Sequence, residues 1–186
     1  MCAYIFKRMV EKRINLQQYA MQFGTYMGIY WAAKFILFPI GLSNPILLLL
    51  FGALTVAVPF IGYHYARTFR EKICGGSIGF VQAWIFLIFM YLFAALLVAV
   101  AHFIYFRFID HGHVMDAYSA LLEQAASTPE FAQAMEQYKY QDIIDMVRSM
   151  SGIEITMQLL SQNMLYCSIL ALITAPFVAK KKPIIP

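Results

Sequence analysis

The chain has 186 residues, of which 61% are hydrophobic and only 13% are charged. Soluble globular domains are about 45–50% apolar and about 25% charged, so the composition argues against a soluble domain and indicates a membrane protein. The formal net charge is +4 at pH 7. Because the basic residues are segregated by position and no nucleic-acid motif is found, the lipid bilayer rather than nucleic acid is the expected partner.

Four segments are apolar over about 20 residues, the length that a helix needs to cross the hydrocarbon of a bilayer. They cover about residues 19–40, 45–66, 80–109 and 155–179. The turn 41–44 holds no charge and is short enough to force an antiparallel hairpin between the first two segments. The fold class predicted from these segments is an all-α membrane protein, a single domain over residues 1–186 with four transmembrane helices in two hairpins.

The distribution of Lys and Arg predicts the orientation, because cytoplasmic loops carry an excess of these residues. Ten of the fourteen lie in the amino-terminal segment, the connection between the second and third spans, and the tail. They are Lys7, Arg8, Lys12, Arg13, Arg67, Arg70, Lys72, Lys180, Lys181 and Lys182. The connection 110–154 carries eight of the ten acidic residues instead. We therefore expect both termini in the cytoplasm and 110–154 on the outer side.

The long connection 110–154 has the pattern of short helices. Apolar residues recur at helical spacing over 113–126. Residues 127–130, Ser-Thr-Pro-Glu, have the features of a helix start, and further apolar positions follow over 131–138 and 143–150. We expect two or three short amphipathic helices that lie over the outer mouth of the bundle or on the lipid surface.

Two stretches of the sequence are characteristic of a known family. Residues 75–83 read GGSIGFVQA, and the long aromatic-rich segment that follows ends with FIYFRFID at residues 103–110. With the order of elements and the lysine-rich tail, they resemble the small four-helix membrane proteins catalogued as domain of unknown function 4199, found mainly in Bacteroidetes-type bacteria. The resemblance covers about Tyr19 to Lys182.

That resemblance implies a location in the bacterial inner membrane, with the segment 110–154 in the periplasm. The resemblance carries over no activity, no cofactor and no catalytic residue to this chain. Relatives occur beside genes for polyprenyl-phosphate glycosyltransferases. This neighbourhood suggests such an enzyme as a partner.

Lys34 is the one charge well inside a predicted span. Ionisable residues within a membrane are costly to bury and often functional. Lys34 lies about 9 Å from the outer end of its helix, at 1.5 Å per residue. It either contacts a substrate or lipid phosphate, or it extends to the interface and pairs with an outer carboxylate.

His102, Arg107 and Asp110 lie at the outer part of the third span. Arg107 and Asp110 are three residues apart, which favours a side-chain pair on one helix face. With Lys34 and Glu154 at the same level, these residues form either a functional polar layer or part of an interfacial belt. The belt would also include Trp31, Tyr105 and Tyr118.

The run Asp110-His111-Gly112-His113 has ligand types that suit zinc. No second cluster supplies the remaining ligands, so we predict no metal. The three cysteines, Cys2, Cys74 and Cys167, form no ligand or disulfide pattern and are expected to be free thiols.

Two further patterns concern helix packing. Gln158 and Gln162 lie one turn apart at the start of the fourth span, and they either hydrogen-bond across helices or contact a substrate. Gly24 and Gly28 form a G-x-x-x-G motif, which predicts the close approach of another helix, in this chain or in a partner. Ala95 and Ala99 of the third span are the candidate facing residues.

No catalytic constellation is found, neither a nucleophile elbow nor a zinc-protease motif nor paired carboxylates. We therefore predict a protein without enzymatic activity that serves as an accessory or scaffold subunit for a membrane partner. A homo-oligomer is also compatible with these patterns. The alternatives are a small oligomeric transporter or channel, and an outer-leaflet lipid-binding protein that uses Lys34, His102 and Arg107.

Overall fold

The computed structural model describes residues 2–128 and 140–180, and all of its regular elements within these ranges are α-helices. They are α1 (Cys2–Phe35), α2 (Leu37–Gly41), α3 (Pro45–Lys72), α4 (Phe80–Phe108), α5 (His113–Ala126), α6 (Tyr140–Ser149) and α7 (Gly152–Val178). The predicted all-α class is therefore confirmed. By length and composition, α3, α4 and α7 can each cross a membrane.

The first predicted span is where the structure departs most from the sequence prediction. Helix α1 begins at Cys2 and ends at Phe35, and the short α2 follows after a turn at Ile36. Pro39 lacks the amide hydrogen that a continuous helix would donate to the carbonyl of Phe35, which explains the break. Helix α1 is not among the helices that are apolar enough to cross a membrane.

The other three segments lie close to their predicted positions. Helix α3 continues past residue 66 to Lys72, with Pro59 inside it. Helix α4 ends one residue before the predicted end, and α7 begins three residues early, at Gly152. The early start of α7 follows from a capping box, in which Glu154 accepts a bond from the Ser151 amide at 2.7 Å and Ser151 Oγ accepts from the Glu154 amide at 3.4 Å.

Helix α4 is the centre of the bundle and has its main contacts with α1 and α7. Its buried residues extend from Ala83 to Phe106, over about six turns, which suits a helix covered on both sides. Those that are fully enclosed are Ala83, Phe86, Leu87, Met90, Tyr91, Ala94 and Ala95. Helix α3 lies at the side of this layer, where Phe69 stacks on Phe86 with 4.1 Å between ring centroids.

The G-x-x-x-G motif forms the contact between α1 and α4 within this chain. A Cβ atom on Gly24 would lie 2.6 Å from the Met90 carbonyl oxygen, and one on Gly28 would lie 2.9 Å from Leu97 Cβ. The predicted close approach is therefore present. The facing alanine is Ala94, 3.3 Å from that Gly28 position, rather than the predicted Ala95 or Ala99.

The end of α7 is tied to the connection between α3 and α4. Ile78 and Lys180 form an isolated antiparallel bridge through two backbone hydrogen bonds of 3.0 Å. Arg70 Nη1 also donates to the Val178 carbonyl at 2.9 Å, at the carboxyl end of α7. This clasp joins the basic connection to the tail and brings two of the three basic blocks to the same end of the bundle.

Two short helices, α5 and α6, lie between α4 and α7, as the apolar spacing predicts for 113–126 and 143–150. They pack against each other, and Glu123 on α5 pairs with Arg148 on α6 at 3.1 Å. The first turn of α5 joins the bundle through Val114, which packs in a small cluster with Phe106 and Ile155. The predicted helix start at 127–130 and its continuation over 131–138 lie largely outside the described residues.

We expect Gly24→Ala to destabilise the bundle, because its Cβ would collide with the backbone of α4 and overpacking costs about 1–3 kcal/mol. Thermal unfolding of the detergent-solubilised protein measures the effect. Gly52→Ala is the matched control, since no atom lies within 4 Å of its added Cβ and the change removes helix-breaking glycine, which is worth about 0.5–1 kcal/mol. Equal unfolding temperatures for the two variants would contradict the contact.

Candidate functional site

A cavity of about 310 Å³ lies between α1, α3, α4 and α7. Its walls are mainly aromatic and aliphatic, with a few polar groups among them, which is the usual composition of a small-molecule site. The lining residues are Trp31, Lys34, Phe35, Phe38, Phe51, Thr55, Val58, Val98, His102, Leu159, Asn163, Tyr166, Cys167 and Leu170. Of the predicted site residues, Lys34 and His102 meet here.

Lys34 projects from the last turn of α1 towards α3. Its ammonium donates to Thr55 Oγ1 at 2.9 Å and lies 5.1 Å from the centroid of the Phe51 ring. Thr55 is a neutral partner whose own hydroxyl donates to the Phe51 carbonyl at 2.8 Å. None of the lining residues is acidic. Among the described residues, Lys34 forms no ion pair with an outer carboxylate, and Glu154, which was predicted at the same level, accepts hydrogen bonds from Ser151.

Two nearly enclosed polar side chains of the cavity lining have ring nitrogens without a hydrogen bond. Trp31 is 5% exposed and His102 is 6% exposed. Trp31 Nε1 and His102 Nδ1 are buried and have no hydrogen-bond partner. The Phe35 ring packs 4.2 Å from the His102 ring and covers it. A buried polar atom without a partner costs about 1–3 kcal/mol. Because neither atom is exposed to the cavity, neither can bond a ligand there without a rearrangement of the side chains around it.

The cavity opens sideways rather than towards the end of the bundle. Thr55 on α3 and Tyr166 on α7 line it and are exposed, which puts the mouth between these two helices. Thr55 follows the start of α3 by ten residues, and His102 precedes the end of α4 by six. The cavity therefore lies about 9–15 Å from the start of α3 and the end of α4, along the helix axes.

Arg107 and Asp110 do not take part in the cavity, and they do not form the predicted pair. Helix α4 ends at Phe108, so Asp110 lies beyond the helix and the three-residue spacing no longer puts the two side chains on one face. Arg107 is exposed, with its guanidinium carbon 5.9 Å from the centroid of the Phe108 ring.

Asp110 instead organises the start of α5. Its side chain is buried and accepts from the Val114 amide at 3.1 Å. The two residues directly before this helix, His111 and Gly112, have positive φ values of 48° and 92°. The run that resembled a metal site is therefore a tight helix connection, and the described residues contain no group of three or more potential metal ligands.

Gln158 and Gln162 are exposed on α7, and neither makes a hydrogen bond across helices within the described residues. Exposed residues at alternating spacings of three and four form a stripe on the side of α7 that faces away from the bundle. This α7 stripe consists of Gln158, Ser161, Leu165, Ser168 and Leu172. The spacing is that of a helix–helix seam, and Gln162 borders it.

A second, larger hollow of about 910 Å³ lies on the other side of Phe35, between α1–α2 and α4. It is almost wholly apolar, with Ser43 and His113 among its few polar lining residues. It resembles a lipid-facing groove more than a site for chemistry. Phe35 lines both this groove and the polar cavity, and so separates them.

The sequence prediction missed four polar residues of the cavity: Thr55, Asn163, Tyr166 and Cys167. Thr55 and Asn163 each lie within a predicted span, and a hydrogen-bonding side chain in an apolar segment is a usable signal. Their convergence on Lys34 depends on how the helices are rotated, which hydropathy does not determine.

An all-helical chain with three helices of membrane-spanning length and composition, and a sideways-opening cavity between them, has the features of an integral membrane protein. A comparison with protein families matches residues 22–180 to the family described as protein of unknown function (DUF4199). The match covers most of the chain, so the chain belongs to that family. Neither the curated proteins nor the solved structures contain a match to it.

Asp110→Ala is expected to loosen α5 while leaving the bundle folded, because it removes the acceptor of the Val114 amide. The loss of a charge-assisted hydrogen bond, about 1.5–3 kcal/mol, should speed hydrogen exchange at the amides of 113–117 by at least about tenfold. Mass spectrometry of exchanged peptides measures this rate. Asp142→Ala, at an exposed aspartate of α6, is the control. Unchanged exchange in Asp110→Ala would contradict the capping role.

Proposed function

We propose that the chain crosses the membrane four times, with α1 as the fourth span beside α3, α4 and α7. The register of α1 on α4 supports this. Gly24 lies against Met90, Gly28 against Ala94, and Phe35 against His102. Residue numbers rise together in both helices, so α1 runs parallel to α4 through the same thickness of membrane.

The proposed orientation has both termini in the cytoplasm of a bacterial inner membrane and 110–154 in the periplasm. The charges of the described residues support it. Arg70 and Lys180 lie at the clasp, close to Arg67 and Lys72 at the end of α3. The acidic residues of α5 and α6 lie at the other end of α4, beyond Phe108. Basic residues favour the cytoplasmic side.

Single cysteines introduced into a cysteine-free variant test this topology. With four spans, an impermeant maleimide added to intact cells should label Ser43→Cys and Ser127→Cys. It should reach Gln18→Cys and Lys72→Cys only after permeabilisation. Labelling of Gln18→Cys from outside, together with Ser43→Cys, would mean that α1 does not cross. Labelling only of Gln18→Cys and Lys72→Cys in intact cells would reverse the orientation.

We propose that this protein is a non-enzymatic accessory or scaffold subunit that binds a membrane-protein partner through the α7 stripe. The observation that carries the proposal is the exposure of Gln158, Ser161 and Gln162 on a helix of spanning length. Hydrocarbon cannot satisfy a glutamine amide, whereas a helix of another chain can.

The stripe also has the shape that a partner helix requires. Ser161 and Ser168 are small and seven residues apart, and Leu165 lies between them, 61% exposed. Small residues let another backbone approach, and the leucine fills the space between the serines. The partner class suggested by the family resemblance is a polyprenyl-phosphate glycosyltransferase. A second copy of this chain is the other occupant that the test must recognise.

The stripe predicts a specific photo-crosslink. A benzoylphenylalanine at Leu165 should capture one protein of defined mass in native membranes, whereas the same group at Phe60, 69% exposed on α3, should react with lipid only. The double variant Gln158→Leu/Ser161→Leu should remove the captured protein. A product of twice the chain's mass would identify a homo-oligomer. Lipid-only reaction at both positions, with a lone chain after mild solubilisation, would contradict the accessory role.

A further inference from the structure

We propose that the cavity between α1, α3, α4 and α7 binds the anionic head, a phosphate or a carboxylate, of a membrane amphiphile, with Lys34 as its counter-ion. This site is independent of the α7 stripe and of the accessory role. The ligand enters through the mouth between α3 and α7, where Thr55 and Tyr166 are exposed.

The charge of the lining selects an anion. Lys34 is the one formally charged residue of the lining, no acidic residue lines the cavity, and the ammonium bonds to a single neutral hydroxyl, that of Thr55. An ammonium has three hydrogens to donate. The structure therefore presents a cation beneath the membrane surface with donor capacity left over, and an anionic ligand would compensate its charge.

The hydrogen-bonding groups select an acceptor-rich ligand. Lys34 can only donate, and it has hydrogens beyond the one that it gives to Thr55 Oγ1. Asn163 adds an amide that donates and accepts. A phosphate or carboxylate carries several acceptor oxygens and no essential donor, so it matches this set. A cationic or purely apolar ligand leaves the remaining hydrogens of Lys34 without an acceptor.

The size and depth of the cavity select a ligand with a hydrocarbon tail. About 310 Å³ holds a small head or the first part of a chain, and the aromatic walls from Phe35, Phe38 and Phe51 favour apolar contact. The mouth opens sideways between two helices of spanning length. A tail can therefore remain in the bilayer while the head occupies the cavity, about 9–15 Å along the helix axes from the start of α3 and the end of α4.

The sequence supplies a fluorescence reporter for this site. Its two tryptophans are Trp31, in the cavity lining, and Trp84, which does not line the cavity. In Trp84→Phe, emission therefore reports on Trp31 alone. We would titrate this purified full-length variant, in uncharged detergent, with oleyl phosphate, oleate, oleyl alcohol and inorganic phosphate.

Oleyl phosphate or oleate should change the Trp31 emission saturably, and oleyl alcohol should bind at least about tenfold more weakly, since a charge-assisted hydrogen bond is lost. Lys34→Gln in the same background should remove that preference. Arg107→Gln is the matched control, because it also removes one outer cation but lies outside the cavity. It should bind as the parent does.

Equal binding of oleyl alcohol and oleyl phosphate would overturn the proposal, and so would an equal loss in Arg107→Gln and Lys34→Gln. If inorganic phosphate alone saturates the signal and displaces oleyl phosphate, the anion site stands but its ligand is a free phosphate rather than a lipid. Should Lys34→Gln fail to fold, Asn163→Ala replaces it, and the comparison of alcohol with phosphate on the parent remains decisive. These binding measurements do not depend on the outcome of the photo-crosslinking experiment on α7.

Discussion

The close contact of α1 with α4 is the constraint on which the rest of the arrangement depends. Gly24 and Gly28 let the two backbones approach to a distance that no side chain permits. That approach fixes the rotation of α1, so that Trp31 and Lys34, both further along the same helix, reach the space between α3 and α7. The polar cavity in this apolar bundle thus depends on the absence of two side chains in the preceding turns of α1.

Polar side chains lie on two opposite sides of α7, and each side suits a different kind of partner. On the inward side, Asn163 lines the cavity together with Lys34 and Thr55, in a space that suits a small anion. On the outward side, the amides of Gln158 and Gln162 are exposed and suit another helix. In water, solvent molecules would form hydrogen bonds with both sets of side chains. In hydrocarbon each requires a partner, because nothing else there can form the hydrogen bonds.

Hydropathy and capping chemistry were enough to predict the all-α class and three long helices to within a few residues of their ends, apart from the carboxyl-terminal end of α3, which extends further. The family was predicted from the resemblance of residues 75–83 and 103–110. Hydropathy and capping chemistry were not enough for α1, whose Lys34 and Gln22 interrupt its apolar sequence, or for the break caused by Pro39. Lys34 and His102 line the same cavity, which agrees with the prediction that the two residues lie at the same depth in the bundle. Arg107 and Asp110 separate because α4 stops between them, and no periodicity rule applies across a helix end.

The clasp between Ile78 and Lys180 joins the connection between α3 and α4 to residues that are synthesised after all of the long helices. Helices α1, α3 and α4 leave the ribosome before α7, so the nascent protein enters the bilayer with one side of its central helix uncovered. The arrival of α7 then completes the cavity wall, and the two backbone bonds of the clasp and the Arg70 bond to Val178 fasten its carboxyl end. A chain cut short between residues 170 and 178 would therefore keep the α7 residues of the cavity wall but lack the clasp that holds them in place.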